Sequence, residues 1–247
     1  MVNDLPDSIA ELCATLGGIT GVEAVTIGGS RATGTADERS DWDVGLYYRG
    51  TIDLAPLARY GEVHPPGSWG RIMNGGAWLS LEGTKVDVLL RDLGVALHWS
   101  GEARLGAYEL DALLGYLAGV PTYSLMAELA LNQIVHGHLP TVGEYPEALS
   151  EAGARRWPLH ADFSLTHARM RAERGDIVGT VGHAAKAVLE TAHAVACRRR
   201  SWVLNEKKLV EHTGLQDLHA SFVGVPASPS ALVVWVDSLR SALGGRD

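Results

Sequence analysis

The chain has 247 residues, 46% of them hydrophobic and 20% charged, with 21 Lys and Arg against 29 Asp and Glu for a formal charge of −8. That composition is globular, which excludes a disordered or fibrous chain, and the acidic balance disfavours nucleic acid and anionic membranes as partners, since both attract basic surfaces. Two cysteines, Cys13 and Cys197, imply no disulfide framework and fit a reducing compartment. Met1 to Ile9 carries acids and no basic leader region, and no apolar run approaches the roughly 20 residues of a membrane span, so a soluble cytoplasmic protein is expected.

In chain order, Leu5, Ile9, Leu12 and Leu16 recur at helical spacing, and Gly17-Gly18 stops that helix. Val22 to Ile27 reads as a strand that ends at Gly28-Gly29-Ser30, and Trp42 to Tyr48 as a second strand after a polar turn. Thr51 to Tyr60 reads as a short helix. Ala77 to Leu81 and Lys85 to Leu90 read as a hairpin about Glu82-Gly83-Thr84. Past residue 100 the texture turns helical. Tyr108 to Leu117 and, beyond Pro121, Thr122 to Val135 are helix candidates. The clearest helix starts at Asp176, a good N-cap residue, and carries Ile177, Val181, Ala184, Ala185, Val188, Ala192 and Val195 as its apolar stripe. A last helix takes Ser228 as N-cap, Pro229 at its first position and Gly244 as terminator. The expected fold class is α+β: residues 1–100 as a small mixed sheet with flanking helices, and residues 101–247 as an all-α helical bundle.

Acids concentrate in the first part, where residues 1–100 hold 7 Lys and Arg against 13 Asp and Glu, compared with 14 against 16 in the remainder. The informative stretch lies there: Gly28-Gly29-Ser30-Arg31-Ala32-Thr33-Gly34, then Ser40-Asp41-Trp42-Asp43-Val44. A strand running through two glycines and a serine into a helical turn offers backbone N–H groups to a phosphate, and the Ser30 hydroxyl adds a donor. Asp41 and Asp43, two apart in a strand pattern, share a face opposite Trp42 and Val44. Two carboxylates so placed repel unless a cation lies between them, and hard oxygen ligands of this kind suit Mg²⁺ bridging to phosphates. Asp87, in Val86-Asp87-Val88, is a third acid in a hydrophobic strand. A Gly-Gly-Ser loop or a lone Asp-x-Asp is more often an ordinary turn or a solvated strand; the signal is their conjunction.

In that conjunction, the Gly29-Ser30 turn with Asp41-x-Asp43 eleven residues on and a later acid on a neighbouring strand, the segment resembles the signature of the DNA polymerase β-type nucleotidyltransferase superfamily, in its minimal and antibiotic-modifying (aminoglycoside and lincosamide) branches. The resemblance covers residues 20–92, and the helical half only by architecture. It implies that Gly29 and Ser30 hold the triphosphate, that Asp41 and Asp43 bind Mg²⁺, and that Asp87 completes a metal site or activates the attacking hydroxyl. It further implies an enzyme that moves a nucleoside monophosphate from an NTP, ATP foremost, to a small-molecule hydroxyl with release of pyrophosphate. A protein-modifying antitoxin-like enzyme and a non-catalytic nucleotide-binding relic are the alternatives.

A small acidic domain needs a further cation for the triphosphate. Arg31, and Lys207 or Lys208 after Arg198-Arg199-Arg200, at the end of what reads as the longest helix, are the candidates, with a cleft between the halves as the expected site. His183, Lys186, Glu190, His193 and Cys197 form a polar stripe on the Asp176 helix, either a solvated face or a source of a general base in Glu190. His136 and His138 flank Gly137 at what reads as a helix end. Tyr47, Tyr48, Trp69 and Trp78 either stack a ring or fill core and rim.

Overall fold

The computed structural model describes residues 5–37 and 40–246. The chain divides into two compact units, the described residues of Met1–Glu102 with Thr122–Glu144, and those of Ala103–Pro121 with Tyr145–Asp247. A single cut near residue 100 therefore does not separate them. Residues 103–121 join the helical unit, and 122–144 return to the sheet.

The first unit opens with α1 (Asp7–Gly17), whose Ile9, Leu12, Cys13 and Leu16 are buried. At 0–2% exposure Ile9, Leu12 and Leu16 each contribute roughly 1.5–3 kcal/mol of apolar burial. Then follow β1 (Val22–Ile27), the single turn α2 (Gly29–Ala32), β2 (Trp42–Tyr48), β3 (Gly61–His64), the short α3 (Gly70–Met73), β4 (Gly75–Leu81), β5 (Thr84–Asp92) and α4 (Leu93–Arg104). The segment expected as a helix over Thr51 to Tyr60 holds only a 3₁₀ turn at Ala55–Leu57. After β6 (Leu110–Asp111) and β7 (Val120–Pro121), a hairpin of the second unit, α5 (Ser124–Leu131) and β8 (Gln133–Gly137) return to the first. Thr122 to Val135 is thus no continuous helix: Asn132 turns to extended backbone and feeds an edge strand.

Among the described residues the sheet has six strands in the order β3-β4-β5-β2-β1-β8. β2 and β5 pair in parallel and the other neighbours antiparallel. Strand alternation sends Val25, Ile27, Val44, Leu46, Ala77, Leu79, Val86, Val88 and Leu90 to one face, where they form one core with α1. The other face carries Asp43, Gly45 and Tyr47 on β2 and Asp87, Leu89 and Arg91 on β5. Its Tyr47–Arg91 end is closed: Tyr47 and Ala24 pack with Leu93 of α4 and Leu139. Arg91, 1% exposed, donates from Nε and Nη2 to Glu128 of α5 at 2.6 and 2.7 Å. Its Asp43–Asp87 end stays half-exposed.

In the second unit α6 (Glu147–Ala172), α7 (Ile177–Arg198), the single turn α8 (Leu209–His212) and α9 (Pro229–Leu243) surround a core rich in alanine. The longest helix is α6, which the sequence reading does not identify; it contains Pro158, and its buried positions include Gly153, Ala161, Ser164, Ala168 and Ala172. These small residues let α7 approach closely, and a Cβ at Gly153 would overlap the Cys197 side chain. Asp176 caps α7 by accepting from the Gly179 N–H at 2.9 Å, and Ser228 caps α9, both as expected. Tyr108 to Leu117 forms no helix. It contains β6 and is tied down where the Leu117 and Ala118 N–H groups donate to the Glu206 carboxylate at 2.9 and 2.7 Å.

Candidate active site

β1 delivers the chain into Gly28-Gly29-Ser30, and the Gly28 N–H donates to the Asp43 carbonyl at 2.8 Å, so the glycine turn is latched to the start of β2. Gly29 sits at φ +58°, the left-handed region that glycine occupies without steric cost. A Cβ there would overlap the Asp43 carboxylate. The turn and the acid are therefore packed against each other, and only glycine leaves room for both. Ser30 continues the turn, half-buried, and its carbonyl accepts from the Thr35 N–H at 2.9 Å.

Arg31 serves the loop beside this turn. Its Nη2 donates to the Ser40 carbonyl at 2.6 Å and its Nε to the Asp41 carbonyl at 3.3 Å, while the guanidinium lies 4.2 Å over the Trp42 ring. These contacts pin the segment that carries Asp41.

Across the sheet the register gathers the acids. Asp43 on β2 is the parallel partner of Asp87 on β5, on the same face. Asp87 is in turn opposite Trp78 on β4, and Trp78 opposite Glu62 on β3. Neighbouring strands lie about 4.8 Å apart, so these four side chains form one row. Asp41 sits just before β2, exposed. The Asp87 carboxyl is held above the ordinary range, first by burial and then by the charge of Asp41, with Lys85 acting in the opposite direction. Asp41 and Asp87 thus sense each other.

The three acids do not converge into one preformed ligand group: among the described residues no cluster of three His, Cys, Asp or Glu could hold a metal ion. The donor set nevertheless fits Mg²⁺ in the mode that this ion prefers, one or two carboxylates completed by phosphate oxygens and water. Adjacent like charges, one of them partly desolvated, are what such a cation would relieve.

The remaining candidates lie in the second unit. Lys207 and Lys208 are exposed in the segment before α8; the Lys207 N–H donates to Asn205 Oδ1 at 2.9 Å, and Lys208 has φ +56°. The polar stripe of α7 is not a solvated face. Glu190, His193 and Cys197 are each 1% exposed. Burial raises the Glu190 carboxyl, against a hydrogen bond from Ser164 and the charge of Lys186, whose Nζ is 3.9 Å away. His193 stacks on Trp157 with centroids 4.3 Å apart, and burial pulls it down to about 3. Such enclosure denies Glu190 access to an acceptor hydroxyl. His136 lies on β8, paired with Val25, and not at a helix end. Tyr47 is core, whereas Trp78 is 51% exposed on the acid face. Strict alternation with buried Ala77 and Leu79 was the sequence signal for that placement.

No family model matches the chain, and no curated protein matches it. Among solved structures it is similar to a nucleotidyltransferase-like protein from Exiguobacterium sibiricum, at 10% identity and a TM-score of 0.48, over 96% of this chain and 73% of that one. It is also similar to an aminoglycoside 6-adenyltransferase from Bacillus subtilis, at 9% identity and a TM-score of 0.30, over 96% of this chain and 89% of that one. With both TM-scores below one half, the functional reading of the site rests on the residues described above.

Proposed function

We propose that this chain is a nucleotidyltransferase that moves a nucleoside monophosphate from an NTP to a hydroxyl of a small molecule and releases pyrophosphate. The observation that carries the reading is the packing of the Gly29 turn against Asp43, with Asp43 in register with Asp87. The glycine turn and the acid pair lie side by side on a half-exposed part of the sheet face, an arrangement that suits phosphate and cation together.

In this reading the bond that forms joins the acceptor oxygen to the α-phosphorus, and the bond that breaks is the one to the leaving pyrophosphate. The turn at Gly29 and Ser30 takes the leaving phosphates through N–H and hydroxyl donors. Asp43 with Asp41 or Asp87 would hold Mg²⁺, which when bound neutralises charge on the phosphate oxygens. Where Asp41 and Asp43 hold the ion, Asp87 is left to accept the acceptor's proton, and its half-exposed position lets a hydroxyl reach it. Arg31 keeps the Asp41 segment in place. Most of the rate then comes from positioning and charge stabilisation.

The test is a screen of pyrophosphate release with the four NTPs, Mg²⁺ and a panel of hydroxyl-bearing small molecules, with Asp43→Asn as control. Release that needs both an acceptor and Asp43 supports the proposal. Absence of any release above the control across the panel contradicts it.

A further inference from the structure

We infer that a cavity within the helical unit binds a small carboxylate with an apolar body, and that Arg198 receives its charge. Every residue involved belongs to the second unit, so the site stands independently of the nucleotidyltransferase reading.

The cavity has a volume of about 260 Å³ and is lined by α6, α7, α9 and the residues just after α9. Ala161 and Leu165 of α6, Ala194 of α7 and Leu243 of α9 give it apolar walls, and all four are buried. Arg198, Arg240 and Arg246 supply its cations, and Asp162 its acid.

The three arginines are not equivalent. Arg240 pairs with Asp162 through Nη1 and donates from Nη2 to Thr166 Oγ1 at 3.2 Å. Arg246 grips Asp217 with both Nη groups, at 3.2 and 2.5 Å, and its Nε donates to the Ala242 carbonyl at 3.0 Å. Arg198 ends α7, where a cation ordinarily complements the helix dipole with its head in water. Here Nη2 donates to the Arg246 carbonyl at 2.5 Å, while Nε is buried with no hydrogen-bond partner among the described residues. A buried donor of a charged group left in that condition is costly, and an acceptor in the cavity removes the cost.

Charge and size select the occupant. Among the lining groups and their partners, three guanidinium groups stand against the Asp162 and Asp217 carboxylates, which leaves one positive charge. A monoanion balances it. A phosphate ester, carrying about two negative charges near neutral pH, overshoots. Guanidinium N–H groups match carboxylate oxygens in geometry and form strong charge-assisted bonds with them. The volume falls just below the about 300–1,000 Å³ of sites for drug-sized ligands, so the apolar body is about one ring with a short chain.

The probe is phenylacetate, titrated into ¹⁵N-labelled full-length protein while the arginine Nε–H signals are followed. The Arg198 signal is assigned by its absence in Arg198→Lys, which keeps the charge and lacks Nε. Phenylacetate should move that signal with a dissociation constant of about 1 mM or tighter. Phenylacetamide, which keeps the ring and lacks the charge, and acetate, which keeps the charge and lacks the ring, should each bind about tenfold more weakly or not at all. Arg198→Lys and Arg198→Met, the latter keeping the apolar stem, should both weaken phenylacetate about tenfold or more. An unmoved Arg198 signal would overturn the inference, as would equal binding of the amide or unchanged affinity in either folded variant. Phenyl phosphate binding more tightly than phenylacetate would make the cavity a phosphate site and overturn it too.

Discussion

Replacing Gly29 with alanine separates the site from the fold. Gly29 has φ +58°, where an L-residue costs about 1–2 kcal/mol. The new Cβ would lie 2.7 Å from the Asp43 Cγ, well inside the roughly 3.5–4.0 Å at which carbons rest. The Asp43 carboxyl has to swing by about 1 Å. Because that side chain is half-exposed, the swing adds little further strain, and the loss in urea unfolding should stay at about 1–2 kcal/mol. Turnover should respond more sharply, since a displacement of about 1 Å at a reacting centre can cost about 100-fold. The assay pairs urea unfolding with pyrophosphate release under saturating NTP. Gly29→Ala with kcat within about threefold of the parent would refute the reasoning, because the turn would then not be shaping the acid site. A stability loss above about 4 kcal/mol would make Gly29 a structural residue instead.

The other expectations concern charge. Asp87 has its folded pKa raised by burial and by Asp41, so its contribution to stability is present below the unfolded pKa and is lost as pH rises through the folded value. Asp87→Asn should therefore be at least as stable as the parent at about pH 7, with the difference closing towards about pH 4 in thermal melts, while turnover falls at least 100-fold. Glu128→Ala leaves the Arg91 guanidinium at 1% exposure without its carboxylate partner and should cost about 3–5 kcal/mol by chemical denaturation. Lys207→Ala and Lys208→Ala, made separately, test the expectation that one of them serves the triphosphate. One variant should raise the KM for NTP several-fold with kcat retained, and two silent variants would remove both residues from the nucleotide site.

What was legible in the sequence was whatever alternated or was capped. The strands at Val22–Ile27 and Trp42–Tyr48, the hairpin around Glu82-Gly83, and the capped helices after Asp176 and Ser228 follow from period and punctuation. So does the shared face of Asp43 and Asp87, once their strands are paired. The helix Glu147–Ala172 was hidden because its buried positions include glycine, serine and several alanines, which hydrophobic periodicity does not register, and because Pro158 reads as a break. The return of Gln133–Gly137 to the sheet depends on a long-range pairing with Val22–Ile27 that no local pattern encodes. The stripe of Glu190 and His193 reads from sequence as either a solvated face or a source of a general base; both residues are buried, which tertiary context alone decides.

The most direct measurement is calorimetric titration of ATP into the intact protein with and without Mg²⁺, repeated with Asp43→Asn. The account predicts Mg²⁺-dependent binding in the parent and at least a tenfold weaker affinity in the variant. Binding that ignores Mg²⁺, or that survives Asp43→Asn unchanged, would contradict it.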